Sequence, residues 1–132
     1  MATGIISGIG RFQRETLLED SYDVMLVAVQ DGINNWQPYS AAGTGCYVYD
    51  YDLITDYPNA VITTSDIFEC SLRGMVTDSQ VGKFGWINAL ETILINEHQP
   101  DEKVVVRFYS FNGQPQDDIM IKLTKRYTSI NV

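Results

Sequence analysis

The chain has 132 residues, of which 45% are hydrophobic and 20% charged, and its formal net charge is −8. This composition is typical of a globular domain and excludes a disordered chain. The acidic balance opposes nucleic-acid binding, which depends on positive charge, and no apolar run reaches the ~18 residues that a membrane span needs.

The first ten residues, MATGIISGIG, contain three glycines and three isoleucines. Such a segment has little to bury and much backbone freedom to lose, so it cannot fold by itself. We therefore predict a single domain over residues 1–132 that carries an apolar arm, residues 1–10. The arm rests on its own domain or on a neighbouring copy. The arm residues predicted to make this contact are Ile5, Ile6 and Ile9.

The next segments predict a short helix, a strand and a long loop. Residues 11–20 carry an Arg and a Glu at i,i+4 spacing, which favours a helix. Residues 22–30 are almost continuously apolar, as in a strand buried on both faces at the centre of a sheet. Residues 31–45 are rich in Gly, Asn, Ser and Pro and predict a loop. Loops of this length are often binding elements, so Trp36 and Tyr39 are candidate partner contacts.

The segment CYVYDYD, residues 46–52, alternates as a strand does. Its odd positions, Tyr47, Tyr49 and Tyr51, share one face. A flat row of tyrosines is typical of protein interfaces, but it also suits a row packed under the helix, and both interpretations stay open.

The second half of the chain predicts two further strands, one helix and a hairpin. Residues 60–64 and 66–76 have the composition of strands. Residues 78–98 repeat apolar side chains at helical spacing, and Pro100 follows. The last thirty residues alternate in two stretches joined by turn-forming residues. The sequence thus predicts an α+β fold, a largely antiparallel β-sheet or sandwich with one main α-helix (about 78–98) and a C-terminal β-hairpin.

Motifs for catalysis and cofactors are absent from the sequence. The one histidine, His98, is predicted at a helix C-terminus, where it complements the helix dipole. Cys46 and Cys70 are expected to be buried free thiols, although a disulfide between neighbouring strands stays open. Asp50 and Asp52, with Asp56 nearby, could form a weak calcium site, but an exposed strand end is the plainer interpretation. We predict neither enzyme activity nor a cofactor, a metal or a small-molecule substrate.

Charge is distributed unevenly along the chain. Residues 15–72 contain ten carboxylates and no Lys or Arg, whereas residues 103–132 contain five basic residues and two aspartates. A chain polarised in this way can attract a copy of itself head to tail, or a basic partner at its acidic end. A solubilising acidic surface is the plainer interpretation. Under the first interpretation, Asp50 and Asp52 join the partner-binding residues.

These features predict a non-enzymatic structural or assembly subunit. Its partners would be proteins, in a homo-oligomer or a larger assembly, and a virion component such as a capsid decoration, connector or tail protein is the example that we favour. The first residues lack a secretory signal, so the expected location is the cytoplasm or a virion. The alternative function is an acidic inhibitor or immunity-type protein that covers a basic partner. A small enzyme or ligand-binding module has no positive support in the sequence.

Overall fold

A computed structural model describes residues 14–74 and 77–131 of the chain. About half of these residues lie in antiparallel strands, and two short helices are present, so the fold is mostly β with a minor helical part. The strands are β1 (Arg14–Leu26), β2 (Val29–Gln30), β3 (Ile33–Asn34), β4 (Gln37–Pro38), β5 (Tyr47–Tyr51), β6 (Phe68–Leu72), β7 (Ala89–Ile95), β8 (Lys103–Ser110) and β9 (Ile119–Asn131). The helices are α1 (Leu53–Asp56) and α2 (Asp78–Phe84), and a 3-10 turn covers Ser40–Ala42.

The strands form a three-stranded sheet, a four-stranded sheet and a small hairpin. The three-stranded sheet has the order β1-β9-β6 and the four-stranded sheet the order β4-β5-β8-β7, while β2 pairs with β3. Buried side chains from both larger sheets pack into one hydrophobic cluster, which includes Leu26, Phe108 and Ile121. The expected predominance of antiparallel sheet is therefore confirmed.

Strand β1 occupies an edge of its sheet, although a central strand was predicted at residues 22–30. It pairs along its whole length with β9, from Arg14 opposite Asn131 to Leu26 opposite Ile119. Only alternate residues near its end, such as Val24 and Leu26, are buried, because one face of β1 is exposed. The short helix predicted at residues 11–20 is also wrong where the structure describes it, since residues 14–20 belong to β1.

The predicted helix over residues 78–98 is wrong beyond its first two turns. Helix α2 begins with a capping box, in which the Thr77 hydroxyl accepts from the Gln80 N–H and the Gln80 side chain accepts from the Thr77 N–H. It ends at Phe84, and residues 89–95 form β7 instead. Gly82 and Gly85 weaken a helix here, while the β-branched residues of the ALETILI segment favour a strand.

The predicted C-terminal hairpin is wrong as well. Strand β8 pairs with β5 and β7, whereas β9 pairs with β1 and β6, so the two predicted hairpin strands lie in different sheets. The connection between them holds Pro115, whose side chain is fully buried and whose carbonyl accepts from the Asn34 side chain. These contacts fix the connection as a crossing from one sheet to the other, and β8 instead makes its hairpin with β7.

The predicted long loop at residues 31–45 is shorter in the structure, because two strands and the 3-10 turn occupy part of it. Asp31 and Gly32 both have positive φ, 52° and 79°, and they turn the chain between β2 and β3. Asp-Gly is a strong signal for a two-residue hairpin turn, and it marks this one. The remaining loop then leads directly from β3 into the core at Trp36.

Candidate functional site

The acidic and basic parts of the sequence pair with each other inside the fold. In the register of β1 and β9, Glu19 lies opposite Arg126 and Asp20 opposite Lys125. Five ion pairs between described residues join an acid from residues 15–72 to a base from residues 103–132. They are Asp52–Lys103, Asp50–Arg107, Asp66–Lys125, Glu19–Arg126 and Glu69–Arg126. The uneven charge of the sequence therefore serves strand pairing within one molecule.

Asp50 and Asp52, both predicted to bind a partner, have internal partners. Arg107 donates two hydrogen bonds to Asp50, from Nε at 2.7 Å and from an Nη at 3.0 Å, and these bonds raise the pKa of the guanidinium. Asp52 caps helix α1 by accepting from the Ile54 N–H at 3.2 Å, and it lies 3.2 Å from Lys103 Nζ. Both carboxylates are thus used within the fold.

A large cavity lies beside the paired strands β1 and β9. Its volume is about 740 Å³, and residues 56–61 form its other side. Aspartates and tyrosines with a single lysine dominate its lining, and we call it the tyrosine cavity. The residues that line it are Asp20, Tyr22, Asp56, Tyr57, Pro58, Asn59, Ala60, Val61, Asp66, Lys125 and Tyr127. Of these residues, only Asp56 was a candidate from the sequence, as the third aspartate of the possible calcium site.

Lys125 is the one cation in the lining of the tyrosine cavity, and it is 8% exposed. Its ammonium donates to the carbonyl of Val61 at 2.8 Å and to the carboxylate of Asp66 at 3.4 Å. The same nitrogen lies 5.9 Å from the ring centre of Phe68 and 5.7 Å from that of Tyr127. These contacts compensate the desolvation of a buried charge and hold Lys125 in place.

Tyrosine rings form the walls of the tyrosine cavity. The rings of Tyr22 and Tyr57 meet edge to face with centres 5.0 Å apart, and the Tyr57 hydroxyl donates to the carbonyl of Asp23 at 2.5 Å. Burial raises the pKa of Tyr22, and the charges of Asp20, Tyr127 and Asp66 raise it further. Burial is the main cause of this shift, and the smaller contributions of Asp20 and Asp66 come from their negative charges near the Tyr22 hydroxyl.

The two aromatic residues of the predicted binding loop lie in different environments. Trp36 is 0% exposed and packs edge to face on Tyr49 at 5.4 Å, so it is a core residue that a partner cannot reach. Tyr39 is half-buried, with its ring 6.0 Å from that of Tyr109 and the Arg107 guanidinium 5.1 Å above it. Of this pair, Tyr39 alone stays a candidate contact.

The tyrosine row on β5 faces the core. Tyr51 is buried, and Tyr47 and Tyr49 are partly buried against the hydrophobic cluster. The Tyr51 hydroxyl donates to Asp56 at 2.8 Å, and burial followed by this hydrogen bond raises its pKa. Of the two interpretations left open by the sequence, the one in which the tyrosine row is packed inside the protein is correct for β5. Sheet residues and loops cover the row, whereas a helix was expected to do so.

The remaining candidates from the sequence are the isoleucines of the arm and the two cysteines. Ile5, Ile6 and Ile9 lie outside the described residues. Cys46 and Cys70 are both free thiols: Cys46 donates to the carbonyl of Ala42 at 3.2 Å, and burial raises the pKa of Cys70 to about 12.

His98 lies in the exposed turn between β7 and β8, with φ of 66°, because the predicted helix around it does not form. Its ring nitrogen Nε2 is 3.5 Å from a carboxylate oxygen of Glu97. In this turn the His98 ring has no helix-end carbonyls to bond. The prediction that His98 complements a helix dipole is therefore wrong.

The described part of the chain contains neither a cluster of metal ligands nor a helix that could span a membrane. Residues 14–74 and 77–131 contain no group of three His, Cys, Asp or Glu side chains placed to hold a metal ion. Neither helix in these ranges has the length or the apolar character needed to cross a membrane. Comparisons with protein-family models, curated proteins and solved structures find no match to this chain.

The sequence contains a charge pattern that could have predicted the strand pairing beside the tyrosine cavity. Glu19, Asp20 and Asp23 are spaced along one strand as Lys122, Lys125 and Arg126 are along another, in opposite order. Opposite charges on facing positions favour antiparallel pairing. Pairing these two segments would have placed Asp20 beside Lys125, but the predicted helix at residues 11–20 concealed the match.

Proposed function

We propose that this protein is a non-enzymatic assembly subunit, with a virion component as the favoured class, located in a virion or in the cytoplasm before assembly. The observation that supports the proposal is the projection of β1 and β9 beyond their sheet. Strand β6 pairs with β9 only over Ile121–Lys125, while β1 and β9 continue to the pair Arg14 and Asn131. A two-stranded ribbon by itself is marginally stable in water, so a neighbouring subunit is a suitable support.

The exposed side chains of this ribbon fit the proposal. Leu17 is 70% exposed on β1, and Tyr127 is 41% exposed on the facing strand. The apolar arm, residues 1–10, precedes the ribbon in the sequence. We propose that ribbon and arm together form the contact with a second copy, through apolar burial and strand edges.

Charge has a smaller part in the proposed contact than the sequence suggested. Five acid–base pairs are made within the molecule, so these charges are not free to join two copies head to tail. The same pairing uses five of the ten carboxylates of residues 15–72, on which the alternative of an acidic inhibitor rests. The proposed oligomer should therefore resist salt.

The experiment is the molar mass of the full chain in solution by light scattering over a range of concentrations. We expect a multimer that persists at ~0.5 M salt, where exposed charge pairs are screened. Deletion of residues 1–10, or Leu17→Lys, should yield monomers with unchanged circular dichroism. Ile33→Lys is the matched control, because Ile33 is 66% exposed but lies in the β2–β3 hairpin.

Two results would contradict the proposal. A chain that is monomeric at every concentration, also when it is mixed with candidate neighbours, would remove the assembly role. A multimer that Leu17→Lys and Ile33→Lys weaken equally would show that the ribbon is not the contact.

A further inference from the structure

The tyrosine cavity carries a negative charge that its own lysine does not neutralise. Three carboxylates, those of Asp20, Asp56 and Asp66, line it together with one ammonium, that of Lys125. We propose that this cavity binds an organic cation, that is, an ammonium or guanidinium group carried on an apolar body. The argument for this site does not rest on the proposed assembly role, although Tyr127 belongs to both the cavity and the ribbon.

The first argument is the state of the three carboxylates. Asp66 accepts from Lys125 and, at 2.8 Å, from the Thr63 N–H, and Asp56 accepts from the Tyr51 hydroxyl. Asp20 is different. Its cross-strand neighbour is Lys125, but the Lys125 ammonium bonds to Val61 and Asp66 instead. Asp20 forms no ion pair with any residue that the structure describes, and so the cationic group of a ligand can pair with it.

The second argument is the aromatic lining. Tyr22, Tyr57 and Tyr127 line the cavity, and the negative face of an aromatic ring attracts a cation within about 6 Å. The contact between Lys125 and Tyr127 is an instance of this geometry in the same cavity. Because the Tyr57 hydroxyl is bonded to the backbone of β1, the wall is formed before a ligand arrives.

The third argument is size and polarity. A volume of about 740 Å³ lies within the range of small-molecule sites, roughly 300–1,000 Å³. Pro58, Ala60 and Val61 add an apolar side to the lining. A small inorganic cation would leave this apolar part empty, whereas an amine or guanidine on an apolar body fills it. An anion would meet three carboxylates, and the single ammonium is already bonded to Asp66.

Two sources could supply the cationic group: a free amine, or the lysine or arginine side chain of another protein. Both use the same chemistry, and the probes of one titration separate them. Calorimetry on the full chain would compare 2-phenylethylammonium with its neutral and anionic counterparts of similar shape, 2-phenylethanol and phenylacetate. N-acetylarginine methylamide would stand for a protein side chain.

We expect saturable binding of a cationic probe, about tenfold tighter than that of the alcohol, and no binding of phenylacetate. Tighter binding of 2-phenylethylammonium than of the arginine derivative would identify a free amine as the ligand. The reverse order would identify the side chain of another protein. Equal affinity for the cation and the alcohol, or no saturable binding of either cation, would overturn the proposal.

Variants locate the site. Asp20→Asn keeps the shape of the side chain and should weaken cation binding about fivefold, the expected loss of one nearby charge in a partly hydrated cavity. Asp31→Asn is the control, because it removes the same charge from the exposed β2–β3 turn, where asparagine tolerates positive φ. Equal weakening by both variants would contradict the assignment to this cavity.

A second variant protects the test against a folding defect in Asp20→Asn. Val61 is 70% exposed at the cavity, so Val61→Arg can introduce a guanidinium without disturbing the core. We expect this internal cation to abolish binding of the probe while the thermal unfolding midpoint stays within a few degrees of the parent. Undiminished binding by Val61→Arg would count against the cavity.

Discussion

A buried lysine links the two edges of the tyrosine cavity. Lys125 lies on β9, and its ammonium reaches the Val61 carbonyl and Asp66, which both belong to the segment before β6. This segment has no regular secondary structure over residues 57–67. One charged side chain therefore provides several of the contacts that hold the segment against the sheet.

Replacement of Lys125 by methionine tests this role. Lys125→Met keeps the apolar stem but loses both polar contacts, and we expect the free energy of unfolding to fall by about 2 kcal/mol. Lys122→Met on the same strand is the control, because Lys122 is exposed, and its effect should stay within about 0.5 kcal/mol. Urea denaturation of both variants gives the comparison. Equal losses would mean that the Lys125 contacts add no stability.

The thiol of Cys70 makes the free energy of unfolding depend on pH in the alkaline range. Burial raises its pKa from 9.0 to about 12, so between these values the unfolded chain releases a proton that the folded chain retains. Stability from this group is complete below pH 9 and is lost as the pH rises toward 12. From pH 8 to 9.5, below the normal range of tyrosine, urea unfolding should show a loss of stability that Cys70→Val reduces. An identical pH slope in the variant would exclude Cys70 as its source.

At the scale of elements, the sequence predicted strands better than the partners of those strands. Local alternation identified β5, β6, β8 and β9 close to their positions, because alternation reports one buried face. It could not pair β9 with β1, since their contact joins residues between 93 and 117 positions apart. Residues 89–95 were predicted to be helical because their closely spaced apolar residues fit the period of a helix as well as the period of a strand.

Two glycines distinguish the short helix from the long one that the sequence predicted. Gly82 lies inside α2, and a Cβ there would meet nothing within 4 Å, so Gly82→Ala should stabilise the protein by about 0.5–1 kcal/mol. Gly85 follows the helix, and a Cβ there would lie 3.3 Å from the Gly82 carbonyl oxygen. Gly85→Ala should bring no gain in thermal denaturation. Equal gains at both positions would favour the continuous helix.

On the scale of the whole molecule, the uneven charge of the sequence has a structural explanation. The acidic half supplies β1, β5 and β6. The basic end supplies β9, which lies between β1 and β6, and β8, which lies between β5 and β7. Each basic strand therefore has acidic neighbours in its sheet. The sequence showed the imbalance but could not show whether the compensating charge lay in the same molecule, because that depends on strand order.

The two sheets share one core, and Trp36 lies within it. The Trp36 carbonyl accepts from the Gln114 side chain at 2.7 Å, so its loop is also bonded to the connection between β8 and β9. We expect Trp36→Ala to reduce the free energy of unfolding by about 3–5 kcal/mol, because it leaves a large cavity between both sheets. Amide hydrogen exchange should then accelerate in β8 and β9 together.

Trp86→Ala is the matched control for this loss of an indole. Trp86 is 41% exposed, and we expect its replacement to cost only about 1 kcal/mol and to leave exchange in β9 nearly unchanged. Accelerated exchange in one sheet alone after Trp36→Ala would mean that the sheets open separately. The common hydrophobic cluster argues for joint opening, since its members come from both sheets and include Trp36.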